Sequence, residues 1–302
     1  MKRVINFMGV RHLAFAMTVV LTLASLASLA IKGLNFGLDF TGGTLIELSY
    51  EKPVALDQVR AQLSRSDFGA AVVQSFGATT DVLVRMPGDD PLLGERIAEA
   101  LRSGEGAAAV TVKRVEFVGP AVGEELRDQG GLGMLLALGG ILVYVAFRFQ
   151  WKFGLGAVLS LFHDVILVLG VFSLFQITFD LTVLAAVLAV IGYSLNDTIV
   201  IFDRIRENFR ILRKAELLEN INISTTQTLL RTLATSVSTL LAVGALMVSG
   251  GENLWGFSLA LLIGVGAGTY SSVYVAGMLL VWLNLTRDDL IPPVVEEVDE
   301  LP

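Results

Sequence analysis

Residues 181–202 read LTVLAAVLAVIGYSLNDTIVIF, and Arg204, Arg206, Arg210, Arg213 and Lys214 follow them. At 1.5 Å per residue an apolar helix of this length covers the roughly 30 Å of hydrocarbon in a bilayer. One residue violates the pattern. Asp197 sits inside the run, where a carboxylate costs about 2.5–3.5 kcal/mol on insertion scales. Such a group belongs against the interior of a helix bundle or a water-filled cavity, so this span needs neighbours.

The neighbours are legible on both sides. Apolar runs recur at 13–31, 131–147, 153–175, 232–249 and 254–283, which makes six candidate spans. The composition agrees: over 302 residues, 54% are hydrophobic and 17% charged, with a mean hydropathy of +0.69. A soluble domain carries about 25% charged residues. The first run, preceded by Lys2, Arg3 and Arg11, has small residues near Ala27 to Ala30 as a signal peptide would, but it is long for one and reads as an uncleaved anchor.

Lys and Arg set the orientation by the positive-inside rule. They mark the N-terminus, the link with Arg148 and Lys152, the link that opens with Arg204, and Arg287 in the tail. The short links near 176–180 and 250–253 have none. Both termini are therefore expected in the cytoplasm: residues 1–12 cytoplasmic, 13–31 the first span, 32–130 extracytoplasmic, 131–283 spans two to six, and 284–302 a cytoplasmic tail whose acidic end, VVEEVDELP, is expected to be disordered. Trp151 and Trp255 fall at the expected interfaces.

The external stretch alternates strand and helix patterns: TLIELSY, LDQVRAQLSRS, AAVVQSFG, DVLVRMP, then PLLGERIAEALRSG between Pro91 and Gly104, then AAVTVKRVEFV. The order βαββαβ predicts a ferredoxin-like α+β domain, with a turn at 77–80. The fold class is thus a membrane all-α six-helix bundle carrying a ferredoxin-like domain. No catalytic constellation is visible. The domain has no histidine, and Glu95, Glu99 and Glu105 fit a solvated helix face. With no cysteine and with His12 and His163 far apart, no metal or cofactor site is expected, and a net charge of −7 without a basic run points away from nucleic acid.

Several further polar groups lie in the spans. Arg231 opens span five within about one turn of the boundary. It either snorkels to the headgroups or reaches toward Asp197. Asn196 lies beside the acid and is counted with Asp197 and Arg231 in the expected proton pathway. His163 and Asp164, roughly 15 Å along span three, either relay protons or lie close to interfacial water. Tyr193, Thr235, Ser236, Ser238, Thr239, Tyr270, Ser271 and Ser272 mark a polar seam, and GVGAGTYSS at 264–272 a close-packing one. A carboxylate poised beside a guanidinium titrates as helices rearrange. No second copy of the bundle is found in the chain, so a partner bundle is expected.

Five segments resemble one family. GLDFTGGTLIEL at 37–48, VGPAVGEELRDQG at 118–130, LFHDVILVLGVFSLF at 161–175, GYSLNDTIVIFDRIREN at 192–208 and RTLATSVSTL at 231–240 are similar, in order and spacing, to the SecF branch of the SecD/SecF protein-export family, within the RND superfamily. The resemblance implies an accessory subunit, not an enzyme, in the bacterial inner membrane. It implies partnership with SecD, the SecYEG channel and YajC, action on unfolded preproteins, and a drive from the transmembrane proton gradient with no cofactor. It carries the proton pathway onto Asp197 and Arg231, and matches Asp203 and Arg204 with a relay or structural role. The alternative is half of an RND-type small-molecule efflux transporter, for which so small an external domain is a poor fit. A third is a structural scaffold.

Overall fold

Hydrocarbon offers no water to backbone N–H and C=O groups, so a chain this apolar must satisfy them within helices. The computed structural model describes residues 4–90, 92–103, 110–212, 215–287 and 289. Lys2, Arg3, Pro91, Gly104, Glu105, Arg213, Lys214 and the acidic tail, all used above, lie outside the described residues. In chain order the elements are α1 (Arg11–Lys32, after a 3-10 turn at Phe7–Val10), β1 (Asn35–Phe36), α2 (Leu38–Thr41), β2 (Gly43–Tyr50), α3 (Leu56–Arg65), β3 (Val72–Phe76), β4 (Ala78–Met86), α4 (Leu93–Arg102), β5 (Val110–Val118), α5 (Pro120–Arg148), α6 (Trp151–Phe175), β6 (Thr178–Phe179), α7 (Leu181–Ile211), α8 (Leu217–Ser249), α9 (Trp255–Val273) and α10 (Val275–Trp282).

Six segments are long and apolar enough to cross a membrane: Phe7–Lys32, Pro120–Arg148, Trp151–Phe175, Leu181–Ile211, Leu217–Ser249 and Trp255–Trp282. Three run well past the apolar stretches that announced them. α5 begins at Pro120 rather than 131, α7 continues to Ile211 rather than 202, and α8 begins at Leu217 rather than 232. Hydropathy stops at the first charges, whereas the helical hydrogen-bond ladder does not, and EELRDQ and RIREN are good helix formers. α9 and α10 are one span with an irregularity at Tyr274, across which Tyr274 N and Met278 N still find their i−4 carbonyls at 3.0 Å each.

The external domain has the predicted order. Its antiparallel sheet is arranged β3-β4-β2-β5, the ferredoxin-like pattern, with a bulge between Glu47 and Leu48. Alternation along the strands puts Ile46, Leu48, Val82 and Val84 on one face, where α3 and α4 cover them with Val59, Leu63, Ile97 and Leu101. One expectation is corrected: residues 78–80 are the start of β4, not a turn, and Gly77, at φ +69°, alone reverses the chain.

The other face of the sheet looks onto the bundle. A cleft of about 360 Å³ separates them, lined among others by Leu45, Leu83, Arg85, Arg114, Asp180 and Trp255. Arg85 Nη1 donates to the Phe36 carbonyl at 2.6 Å, and Arg114 Nη2 donates to Asn253 Oδ1 at 3.1 Å. Two cross-domain hydrogen bonds thus tie the sheet to loops at the bundle's rim.

Its three glycines alone would make GLDFTGG a flexible segment next to α1. The structure packs it tightly instead. Gly42 and Gly43 take φ of +66° and +113°, and a Cβ on them would lie 2.8 Å from Pro120 Cα and 2.5 Å from Met86 O. Only glycine fits both the conformation and the approach. The segment lies on the start of α7: β1 pairs with β6, Phe40 stacks on Phe179, and Asp39 Oδ2 accepts from Leu181 N at 3.0 Å.

Within the bundle two apolar cores sit at opposite ends. Near the domain, Phe40, Phe172, Phe179, Val183 and Val187 pack together. At the far end, Met8, Phe149, Phe153, Phe202, Ile205 and Leu285 do so, which places both ends of the described chain on the side away from the domain. α7 and α9 approach closely through the small-residue seam. A Cβ on Gly264 would fall 2.1 Å from Val190 Cγ2, and one on Gly268 3.0 Å from Ser194 Cβ.

Candidate functional site

A polar layer separates the two apolar cores. It is built from the middles of α6, α7 and α9, with α8 on its flank. Asp164 is 0% exposed at the midpoint of α6. Its Oδ2 accepts from Ser194 Oγ at 2.5 Å and from Ser271 Oγ at 2.6 Å, and its Oδ1 faces His163 Nδ1 at 2.9 Å. His163 and Asp164 are both buried inside the bundle, at the middle of α6. One position beyond Asp197 on α7, Thr198 Oγ1 meets Ser272 Oγ at 3.0 Å.

Asp197 is 3% exposed, and its Oδ2 has no hydrogen-bond partner among the described residues. The antiparallel register of α7 and α8 locates it. Tyr193 donates to Ser236 at 3.1 Å, Arg204 to Gln227 at 2.6 Å, and Asn208 to Ser224 at 2.8 Å. Position 197 therefore falls opposite Thr232 and its neighbours. Thr232 Oγ1 is also buried without a partner among the described residues. Thr225, Thr228, Thr232 and Ser236 recur at helical spacing along the buried face of α8 and form a hydroxyl stripe that runs past Asp197.

Arg231 lies on an exposed face of α8, near enough for its charge to act on Asp197, yet it makes no ion pair with it within 4 Å among the described residues. Asn196 points the other way and is exposed, as is Gly192 one turn earlier. Asn196 is thus not brought into the Asp197 site. Asp203 and Arg204 serve as ties. Asp203 pairs with Arg148 of α5 and with Arg206 at 3.5 Å, while Arg204 bonds Gln227 of α8 and Glu207.

Sequence reasoning passed over Ser194, which completes the Asp164 shell. Its signal was present: Ser194 precedes Asp197 by three positions, one helical turn. It also passed over the capping role of Asp39. Among the described residues no group of three or more His, Cys, Asp or Glu is placed to hold a metal ion.

Six candidate spans, one α+β domain on the rim and a buried polar layer describe a polytopic membrane protein. The chain matches the family described as "Protein export membrane protein SecD/SecF, C-terminal" over residues 98–286, and the SecD/SecF GG motif over 27–54. It is 68% identical over 299 residues to the protein translocase subunit SecF of Pseudomonas aeruginosa, covering 99% of this chain and 98% of that one. It is 44% identical to the Escherichia coli O157:H7 SecF, covering 98% and 93%. The chain belongs to the SecD/SecF family of protein-export membrane proteins, and its relatives are SecF subunits.

Among solved structures it is similar to SecDF, a translocon-associated membrane protein from Thermus thermophilus, at a TM-score of 0.85 and 40% identity over 94% of this chain. It spans 39% of that chain's length. Against SecDF in the super-membrane-facing form the identity is again 40%, but the TM-score is 0.69. Its arrangement is therefore the nearer to the first.

Proposed function

We propose that this chain is the proton-responsive SecF half of a membrane assembly that assists preprotein export, with a separate SecD-type subunit supplying the other half. One observation carries the reading: Asp197 is a carboxylate only 3% exposed, whose Oδ2 has no hydrogen-bond partner among the described residues, beside the hydroxyl stripe of α8 and within electrostatic reach of Arg231. A proton arriving at Asp197 removes the charge that acts on Arg231 across the face of α8. α7 and α8 then repack, because a buried carboxylic acid and a buried carboxylate want different neighbours. One charge moving through about 100 mV supplies about 2.3 kcal/mol, enough to bias a two-state equilibrium by tens of fold.

The stroke leaves the bundle through α7. Asp39 and Asp180 hold the first turn of that helix, and the segment bearing Asp39 runs straight into β2 of the external domain. A shift of α7 pulls on the sheet, and the cleft beneath the sheet gives it room to move. The second bundle docks where polar residues otherwise face lipid: Arg231 and Ser238 on α8, Asn196 and Gly192 on α7. In this reading both termini are cytoplasmic, the domain within 32–130 lies outside, and the export channel (SecYEG, with YajC) and the emerging preprotein are the partners. Proton-pathway residues are Asp197 and Arg231, and Asn196 belongs to the docking face.

The test is Asp197→Asn in the assembled complex. Gradient-driven stimulation of export into vesicles should fall at least tenfold while SecD co-purification is unchanged. Unaltered stimulation by that variant would end the proposal.

A further inference from the structure

Asp164 and His163 have no part in the Asp197 mechanism, yet they are the most enclosed ionisable pair in the bundle's polar layer. The two serine hydroxyls donate to Oδ2, which leaves Oδ1 to accept from His163 Nδ1–H. In that tautomer Nε2 carries the lone pair, and Nε2 is buried with no partner among the described residues. The ring borders a cavity of about 160 Å³ between α1, α6 and α10, where Thr18 and Thr22 are the polar neighbours. That volume is large enough for water, but the wall is mostly apolar and Nε2 itself has no surface open to it, so water meets the ring nitrogen only when the helices around the cavity shift.

The charge balance around the pair is lopsided. The ionisable groups that face His163 are Asp164 on its own helix and, from α9 and its junction with α10, Tyr270 at 6.5 Å between ring centroids and Tyr274 across the cavity. α1 brings only Ala14, Phe15, Thr18 and Thr22. α7 brings Ser194 to Asp164, with Asp197 one turn further on. No cation among the described residues faces the dyad, so an ionised Asp164 has only hydrogen bonds to hold it. A proton on Nε2 would make the pair an imidazolium–carboxylate, neutral overall and already in bonding geometry.

We propose that His163 and Asp164 form a second protonation site, in which a helix shift opens His163 Nε2 to the α1–α6–α10 cavity, a hydronium ion there gives up its proton to Nε2 and leaves water, and the imidazolium is held by Asp164 through Nδ1–H. Release returns the same proton to the cavity, with no other bond made or broken. The site reports on helix arrangement, because its shell spans α6, α7 and α9: separating α7 from α6 withdraws Ser194 and changes the affinity for the proton. This rests on the proton-driven reading for its use, but not for its chemistry.

The protein has two histidines, so His12→Gln leaves His163 as the single reporter. Full-length protein carrying that substitution, labelled with 15N-histidine and reconstituted with its SecD partner in lipid bilayers, is to be followed by solid-state NMR from pH 9 to 4.5. The expected spectrum shows neutral imidazole with a bare Nε2 at high pH, converting to imidazolium as pH falls. Asp164→Asn should move the midpoint down by at least one pH unit, and Ser271→Ala, a milder change to the same shell, should move it upward. An imidazole that stays neutral throughout, or a midpoint unmoved by both substitutions, overturns the proposal. The transport readout separates it from the reading above. With this proposal right, His163→Gln displaces the pH profile of export stimulation by at least half a unit. Failure of the Asp197 reading would appear only in the Asp197→Asn assay and would leave the spectra as they are.

Discussion

Asp164 and Asp197 are two carboxylates in one polar layer, and the bundle treats them in opposite ways. Asp164 is held from three sides, by α6, α7 and α9, with both oxygens engaged. Asp197, also buried, has an oxygen with no donor among the described residues and an arginine that stands off at the surface of the neighbouring helix. A satisfied buried network fixes a structure. An unsatisfied one stores free energy that a change of arrangement can release. The contrast separates a carboxylate whose oxygens are both engaged from one that keeps an oxygen in reserve.

Truncation of the two acids should therefore act in opposite directions. Asp164→Ala strands two hydroxyls and an imidazole and should cost about 3 kcal/mol. Asp197→Ala removes an unpaired buried carboxylate and should be neutral or stabilising by about 1 kcal/mol. Unfolding titrations in mixed micelles measure both, and equal destabilisation by the two would erase the distinction drawn here.

The layer depends on α7 and α9 lying in contact. Gly264→Ala drives a methyl into Val190 and should cost about 2 kcal/mol. Gly266→Ala, which meets nothing within 4 Å, should leave stability unchanged and is the control in the same titration.

A smaller effect tests the link from α7 to the domain. Asp39→Ala removes a cap from the first turn of α7 and should cost about 1 kcal/mol. Hydrogen exchange should quicken at 181–184 and in the adjoining start of β2, and exchange confined to one side would argue against transmission through this segment.

The least effect is expected far from the layer. The Lys113 ammonium and the Ser49 hydroxyl, both bonded to Asp81 at 2.7 Å, hold its carboxyl below the ordinary carboxylate value. A lowered native pKa stabilises the fold above the unfolded value of about 3.9 and loses that contribution as pH falls through the native value. Asp81→Asn should cost under about 1 kcal/mol at pH 7, and its melting curve should converge with the parent's below about pH 4.

The spans, the strand order of the domain and the anomaly of Asp197 were legible because each is written locally: in hydropathy, in periodicity of two or 3.6 residues, or in one charge set among apolar neighbours. That the helices extend to 120, 211 and 217, beyond the apolar runs, was not legible because charged residues end a hydropathy run without ending a helix. The tight packing of GLDFTGG was not legible, because free glycines and glycines that admit a close backbone look alike in a string of letters.

What the sequence determined by itself was which residues must leave water and which one should not have done so, since transfer cost belongs to each side chain. What the tertiary structure alone decided was company. Ser194 and Ser271 lie seventy-seven positions apart and meet on one oxygen of Asp164, Arg231 stays outside while Asp197 goes in, and Asn196, next to Asp197 in the chain, turns to the opposite face. Those outcomes depend on the rotation and register of packed helices, which are set by close-packed contacts such as Gly264 on Val190 and are not properties of any one segment.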